Sequence, residues 1–229
     1  MKTRIIRLIA TGTLIFALGF AARVAGADWR IGGFAGYYSP NFGEINEWDK
    51  RYEETGICGV DLEFGAGVLY GITAEYGISP NFALRGEITS FSTKTSSKGY
   101  WSSGWLEAEY DMDFELSMRS LVFSGIYRLP LEMLSAYMGV GVGQFATRVE
   151  LSGETRWYED EVLKDTWTQS LSQNDSPIGL ELLGGTGYDI QNLSLAGEVK
   201  YTIAKADVGL FGVADLSGLS LVLAALYQF

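Results

Sequence analysis

Apolar and polar residues alternate with period two along most of the chain, and most cleanly at its end. There Leu219, Leu221, Leu223, Ala225, Tyr227 and Phe229 fall on one face, with Ser220, Val222, Ala224, Leu226 and Gln228 on the other. The segment before it sets Leu193, Leu195, Gly197, Val199, Tyr201 and Ile203 against Ser194, Ala196, Glu198, Lys200 and Thr202. Successive side chains of a strand point to opposite sides, so each segment predicts a strand with one oily face and one face of small, polar or charged residues. The same pattern predicts eight strands in all, at about 29–38, 64–77, 82–94, 105–128, 135–152, 177–190, 193–204 and 218–229. In the fourth, Tyr110, Met112, Phe114, Leu116 and Met118 give way to Leu121, Phe123 and Tyr127. That change of phase near 119–121 predicts a bulge, because one extra residue moves every later side chain to the other face.

Connection lengths organise the strands. Turns near 79–81, 129–134 and 191–192 are short, and those near 39–63, 95–104, 153–176 and 205–217 are long, in strict alternation. Three of the four prolines, Pro40, Pro80 and Pro130, mark turns. An even number of antiparallel strands, short turns at one end, long loops at the other and an outward apolar face predict an all-β fold: an eight-stranded antiparallel up-and-down transmembrane β-barrel. A soluble barrel with an oily interior shares the strand count. The charged face, however, is the one rich in small residues, which suits the crowded inside, and Gly139, Gly141 and Gly143 suit curved strands of a narrow barrel. Beyond residue 27 no segment has 18 consecutive apolar residues, so helical spans are excluded.

The first 27 residues do not share the alternation. Lys2, Arg4 and Arg7 precede a mostly apolar run over 8–22, followed by Ala25, Gly26 and Ala27, the form of a secretory signal peptide cleaved after Ala27. The remaining residues, 28–229, are expected to form one barrel domain. Cleavage removes four basic residues and no acidic one, which takes the net charge from -11 to -15. So acidic a protein is no partner for nucleic acid.

Candidate chemistry is sparse. The chain has no histidine, which removes the usual general base and the commonest transition-metal ligand. Cys58, the single cysteine, lies among Glu53, Glu54 and Asp61, whose carboxylates disfavour a thiolate. The 39–63 and 153–176 segments combine acids with Trp48, Tyr52, Trp157, Tyr158 and Trp167, but neither has the ligand spacing of a calcium loop. Those aromatics are expected at a lipid interface, around a solvated rim. No cofactor and no metal are expected.

The last strand, ending on Phe229 with Tyr227 two residues before it, resembles the C-terminal signal of the OmpA-like and OmpW-like eight-stranded outer-membrane barrels. Ile78, Ser79, Pro80, Asn81 and Phe82 similarly resemble their first periplasmic turn. Ala224 stands where that pattern usually has glycine. The resemblance covers the chain from residue 28 and implies a bacterial outer-membrane location, outer-membrane lipid and lipopolysaccharide as surroundings, and recognition of Tyr227 and Phe229 by the barrel assembly machinery. The peptidoglycan-binding domain of the larger members is not expected here. Enzymes of this barrel class are recognised by an active-site histidine, so the expected role is structural or surface-interacting rather than enzymatic. A narrow channel for small solutes and a loop-mediated adhesin are the alternatives, and a monomer is expected.

Ionisable residues on the small-residue face provide the candidate site. Glu75, Arg85, Glu87, Glu198 and Lys200 fall near the short-turn end of this face, and Glu115, Arg119 and Glu181 are expected higher in the lumen. An eight-stranded barrel is only just wide enough inside for side chains, so these charges are expected to pair across the lumen and plug it.

Overall fold

The computed structural model describes residues 28–43, 64–131 and 134–229. The leader, its cleavage site and Cys58 lie outside them, as does most of the first long loop. The strands are β1 (Asp28–Gly43), β2 (Gly67–Ser79), β3 (Phe82–Ser103), β4 (Leu106–Leu131), β5 (Leu134–Glu159), β6 (Val162–Asp175), β7 (Ile178–Ile190), β8 (Leu193–Ile203), β9 (Lys205–Asp207) and β10 (Val213–Gln228). All pairings are antiparallel. The order β1-β2-β3-β4-β5-β7-β8-β10 closes through β1–β10 into a ring of eight. Closure leaves the ring without an open edge. The first and last described residues lie at the short-turn rim, where Phe229 N donates to Trp29 O at 3.0 Å and Gln228 N to Asn192 O at 2.8 Å.

Two of the expected loops are hairpins. β3 and β4 pair without interruption from Phe82↔Tyr127 to Ser103↔Leu106, and β5 continues to Glu159 before turning into β6. Asp160 and Glu161, both at positive φ (49° and 63°), make the two-residue turn whose twist suits antiparallel strands. The segment 153–176 is therefore mostly strand, and β6 pairs with β5 outside the ring. At 205–217, β9 and a short 3-10 turn (Gly209–Phe211) pack back on the barrel.

The expected bulge in β4 is absent: its registers with β3 and with β5 run unbroken through Arg119, Ser120 and Leu121. Its even-numbered side chains point inward throughout, from Met112 and Phe114 to Val122 and Ile126. What changes near Ser120 is the surroundings. Below it the outward residues are Leu121, Phe123 and Tyr127, and above it they are Asp111, Asp113, Glu115, Ser117 and Arg119. On β3 the outward face likewise passes from Phe82, Leu84 and Ile88 to Ser90, Ser92 and Lys94. A surface that faces lipid is apolar, and one that faces water is polar; the row through Ser90, Arg119 and Ala146 is the boundary. On β10 the apolar band runs from Leu219 to Tyr227, about 20 Å at ~3.3 Å per residue and ~40° tilt. The same arithmetic carries residues 106–119 of β4 about 35 Å beyond it.

Candidate functional site: the lumen and the protruding sheet

At the level of the apolar band the small-residue faces line the lumen. Arg85 on β3 donates from Nε and Nη2 to Glu75 Oε1 on β2 (2.8 and 2.5 Å), and from Nη1 to Glu198 Oε1 on β8 (2.7 Å). Lys200 donates from Nζ to both carboxylate oxygens of Glu87 (2.8 and 2.7 Å) and lies 3.5 Å from Glu198 Oε2. β3 and β8 stand four places apart in the ring of eight, so these bonds cross its full width. Tyr137 donates its hydroxyl to Glu198 Oε1 (2.6 Å), and Arg128 closes on Glu75 from the short-turn rim. The side chains of Glu75, Arg85, Glu87, Glu198 and Lys200 are each only 2% exposed. Such a cluster is stable only because every charge is paired.

Small residues make the room. A Cβ added at Gly185 on β7 would lie 2.8 Å from the Tyr137 ring, so glycine there lets the phenol reach Glu198. Glu181, also on β7, is buried next to a small cavity between this layer and the one above, shared with Thr89, Ser120, Lys200, Thr202 and Ser220. Its Oε1 has no hydrogen-bond partner among the described residues.

Two of the residues expected in the lumen are not there. Glu115 and Arg119 occupy odd positions of β4 and project outward, Glu115 to an ion pair with Lys94 at 3.0 Å and Arg119 to the outer surface at the boundary row. Their placement inside followed from reading the change of phase as a bulge. What fills the upper lumen instead is the oily set on the even positions, Phe114, Leu116 and Met118, with Tyr38, Phe91 and Phe145. Tyr38 and Phe91 meet edge-on at 5.0 Å, and the Tyr38 hydroxyl donates to Leu216 O. Phe211 of the 3-10 turn caps the layer against Phe114 at 6.3 Å. A charged layer and an aromatic layer thus lie one above the other inside the barrel. Alternation alone does not mark the aromatic layer as inward, because an oily strand face suits lipid as well as a packed lumen; the acids between its members are the usable signal.

Beyond the aromatic layer β3, β4, β5 and β6 continue as a four-stranded sheet that extends past the ring. Its outer face is a ladder of ion pairs, including Lys98–Asp111 (3.2 Å) and Arg156–Glu154 (2.6 Å). The hydrogen bond to Glu109 pushes the Tyr158 phenol above its ordinary pKa on the same face. Trp157 and Trp167 lie on the opposite face of this sheet, above the apolar band and away from the lipid interface expected for them. Trp157 packs against Trp101 with ring centroids 6.0 Å apart, and Trp167 is 67% exposed. The girdle at the lower edge of the apolar band comes from the strands themselves: Trp29 beside Tyr76 and Phe82 beside Tyr127. Tyr227 and Phe229 are in contact at 5.1 Å at the same rim. No group of three or more metal-ligating side chains occurs among the described residues.

A family model described as outer membrane protein beta-barrel domain matches residues 8–229. Neisserial surface protein A matches at 16% identity and a TM-score of 0.50, over 88% of this chain and 97% of its own. The attachment invasion locus protein Ail of Yersinia pestis, in complex with the heparin analogue sucrose octasulfate, matches at 13% identity and a TM-score of 0.43, over 89% and 97%. The N-terminal barrel of Pseudomonas aeruginosa OprF matches at 12% and 0.35, over 88% and 97%. The likeness to Neisserial surface protein A is one of fold. The sequence has no match among the curated proteins.

Proposed function

Because the chain belongs to the outer membrane protein beta-barrel domain family, and is a small bacterial outer-membrane barrel with transmembrane strands, we propose that it is a closed, non-enzymatic anchor that holds an interaction surface outside the cell. The observation that carries this reading is the division of β3, β4 and β5 at one row. Below the row the outer surface is apolar and the lumen charged; above it the outer surface is polar, the aromatic layer fills the inside, and beyond Phe114 the strands continue as a water-facing sheet. A channel needs a path through the barrel, whereas the charged and aromatic layers occupy the whole cross-section of an eight-stranded ring. An adhesive or partner-binding role needs rigid surface above the headgroups, which paired strands supply better than loops.

The chain is exported with cleavage after Ala27, folds as one domain over 28–229, and is inserted as a monomer by the barrel assembly machinery acting on the strand that ends in Tyr227 and Phe229. Its surroundings are outer-membrane lipid, with lipopolysaccharide in the outer leaflet. The test is a comparison of the intact protein with a variant in which residues 154–168 are replaced by a two-residue turn between the paired Gly153 and Gln169, both checked for the heat-modifiable mobility of a folded barrel. Loss of surface binding to host or neighbouring cells with retention of the folded barrel is expected. Unchanged binding, or binding absent from the intact protein, would overturn the surface-interaction reading.

A further inference from the structure

Every basic side chain among the described residues faces an acidic one, from Arg30 with Asp189 to Lys205 opposite Asp215, with one exception. Arg119 is exposed and takes part in no ion pair with a described residue. Its cross-strand neighbours are Ser90 and Ala146, and its outward neighbours along β4 are Ser117 and Leu121. The diagonal positions on β5 hold Gln144 and Arg148. None of these is acidic. The nearest acids on this face, Glu115 and Glu150, stand beyond them and are engaged by Lys94 and Arg148. In a chain with 28 acidic and 17 basic residues, a cation so isolated is an exception.

Its height matters as much as its isolation. Arg119 lies on the boundary row, one outward step above Leu121 and Ile88, where the barrel surface leaves the hydrocarbon and enters the headgroup layer. A guanidinium there is partly withdrawn from water, and its flat fork of donors matches the oxygens of a phosphate. Ser90 and Ser117 add hydroxyl donors and Gln144 an amide beside it, and Arg148 adds positive charge on the diagonal. Charge complementarity and depth select the same occupant. We infer that Arg119, with Ser90, Ser117 and Gln144, forms a binding site on the outer wall of the barrel for the phosphate of an outer-leaflet lipid headgroup. The inference rests on the membrane placement in the proposed function and assigns one residue row to lipid.

The test uses the mature chain folded in non-ionic detergent, with native mass spectrometry reading how much protein carries lipid. The probes are phosphorylated lipid A, the same lipid with its phosphates removed, and inorganic phosphate as competitor. Lipid A should bind the unmodified protein about tenfold more tightly than its dephosphorylated form, since charge-assisted bonds to phosphate are worth about one such factor. Arg119→Gln should abolish that preference, Arg119→Lys should keep part of it, and Lys98→Gln, which removes an ion-paired base higher on the same face, should leave it intact. Equal affinity for the two lipids in the unmodified protein overturns the site without any variant. An equal loss in Lys98→Gln makes the effect one of overall charge, and displacement of lipid A by millimolar inorganic phosphate makes it a small-anion site; either outcome overturns the lipid assignment. A chain that never gains the heat-modifiable folded form overturns the barrel and the site together, whereas a folded chain without the preference overturns the site alone.

Discussion

Arg85 and Glu198 meet at 2.7 Å although 113 positions separate them and their strands stand on opposite sides of the ring. The bond spans the lumen at the level of the apolar band, and Glu75, Glu87, Lys200 and Tyr137 complete a layer with each charge partnered. Phe91, Phe114 and Phe145 are buried in the aromatic layer above it.

In planar bilayers the protein should therefore give no steady conductance. Arg85→Ala leaves Glu75 and Glu198 short of their shared partner, so it should admit brief openings and cost about 3–5 kcal/mol against urea. A stable open channel in the unmodified protein would refute the closed lumen.

The boundary row predicts opposite outcomes for one substitution made twice in β4. Phe114 is 2% exposed inside the upper barrel, whereas Phe123 is 62% exposed on the lipid-facing wall. Phe114→Ala opens a cavity and should cost about 3 kcal/mol or more. Phe123→Ala should cost much less, because lipid fills the space it leaves. Equal losses in equilibrium unfolding from vesicles would contradict the boundary.

The two faces of β10 can be separated in the same way. Leu223 is 76% exposed to the apolar band, and Val222 beside it is 3% exposed. Leu223→Arg should impair folding into bilayers by roughly 2–4 kcal/mol, while Val222→Thr keeps the shape of the side chain on a polar inner face and should be tolerated. The folded fraction on a heat-modifiability gel reads both.

Gly185 gives a steric test of the charged layer. A Cβ there would fall 2.8 Å from the Tyr137 ring, so Gly185→Val should push the phenol off Glu198 and destabilise the barrel by about 1–3 kcal/mol. In Tyr137→Ala the ring is gone but the Gly197 carbonyl oxygen, 2.7 Å from the same Cβ, remains, so the valine should cost less than in the unmodified protein without becoming neutral; a double-mutant cycle measures the part owed to the ring.

Assembly depends on the end of the chain in this reading. Removing Phe229 takes away the Phe229 N to Trp29 O bond and the contact with Tyr227. Less folded protein in the outer membrane and more in the periplasm is the expected result, and an unchanged distribution would count against the role of these residues.

The alternation at 193–204 and 218–229 determined by itself that these segments are strands, which of their faces is oily, and, with the short turns between strands, that the sheet is antiparallel and closes into a barrel. Those are local properties: the side-chain period of a strand is two whatever it packs against. The medium that each face meets was not local. Phe114 and Phe123 are the same residue on one uninterrupted strand, and their parity differs because one fills the lumen and the other meets lipid. From the sequence alone this looked like a bulge, which put Glu115 and Arg119 inside. Only the tertiary structure, by continuing the β3–β4 register past the boundary row, placed them outside. Likewise the sequence put Arg85, Glu87, Glu198 and Lys200 on inward faces, but which carboxylate each cation takes depended on how β3 and β8 face each other once the ring had closed.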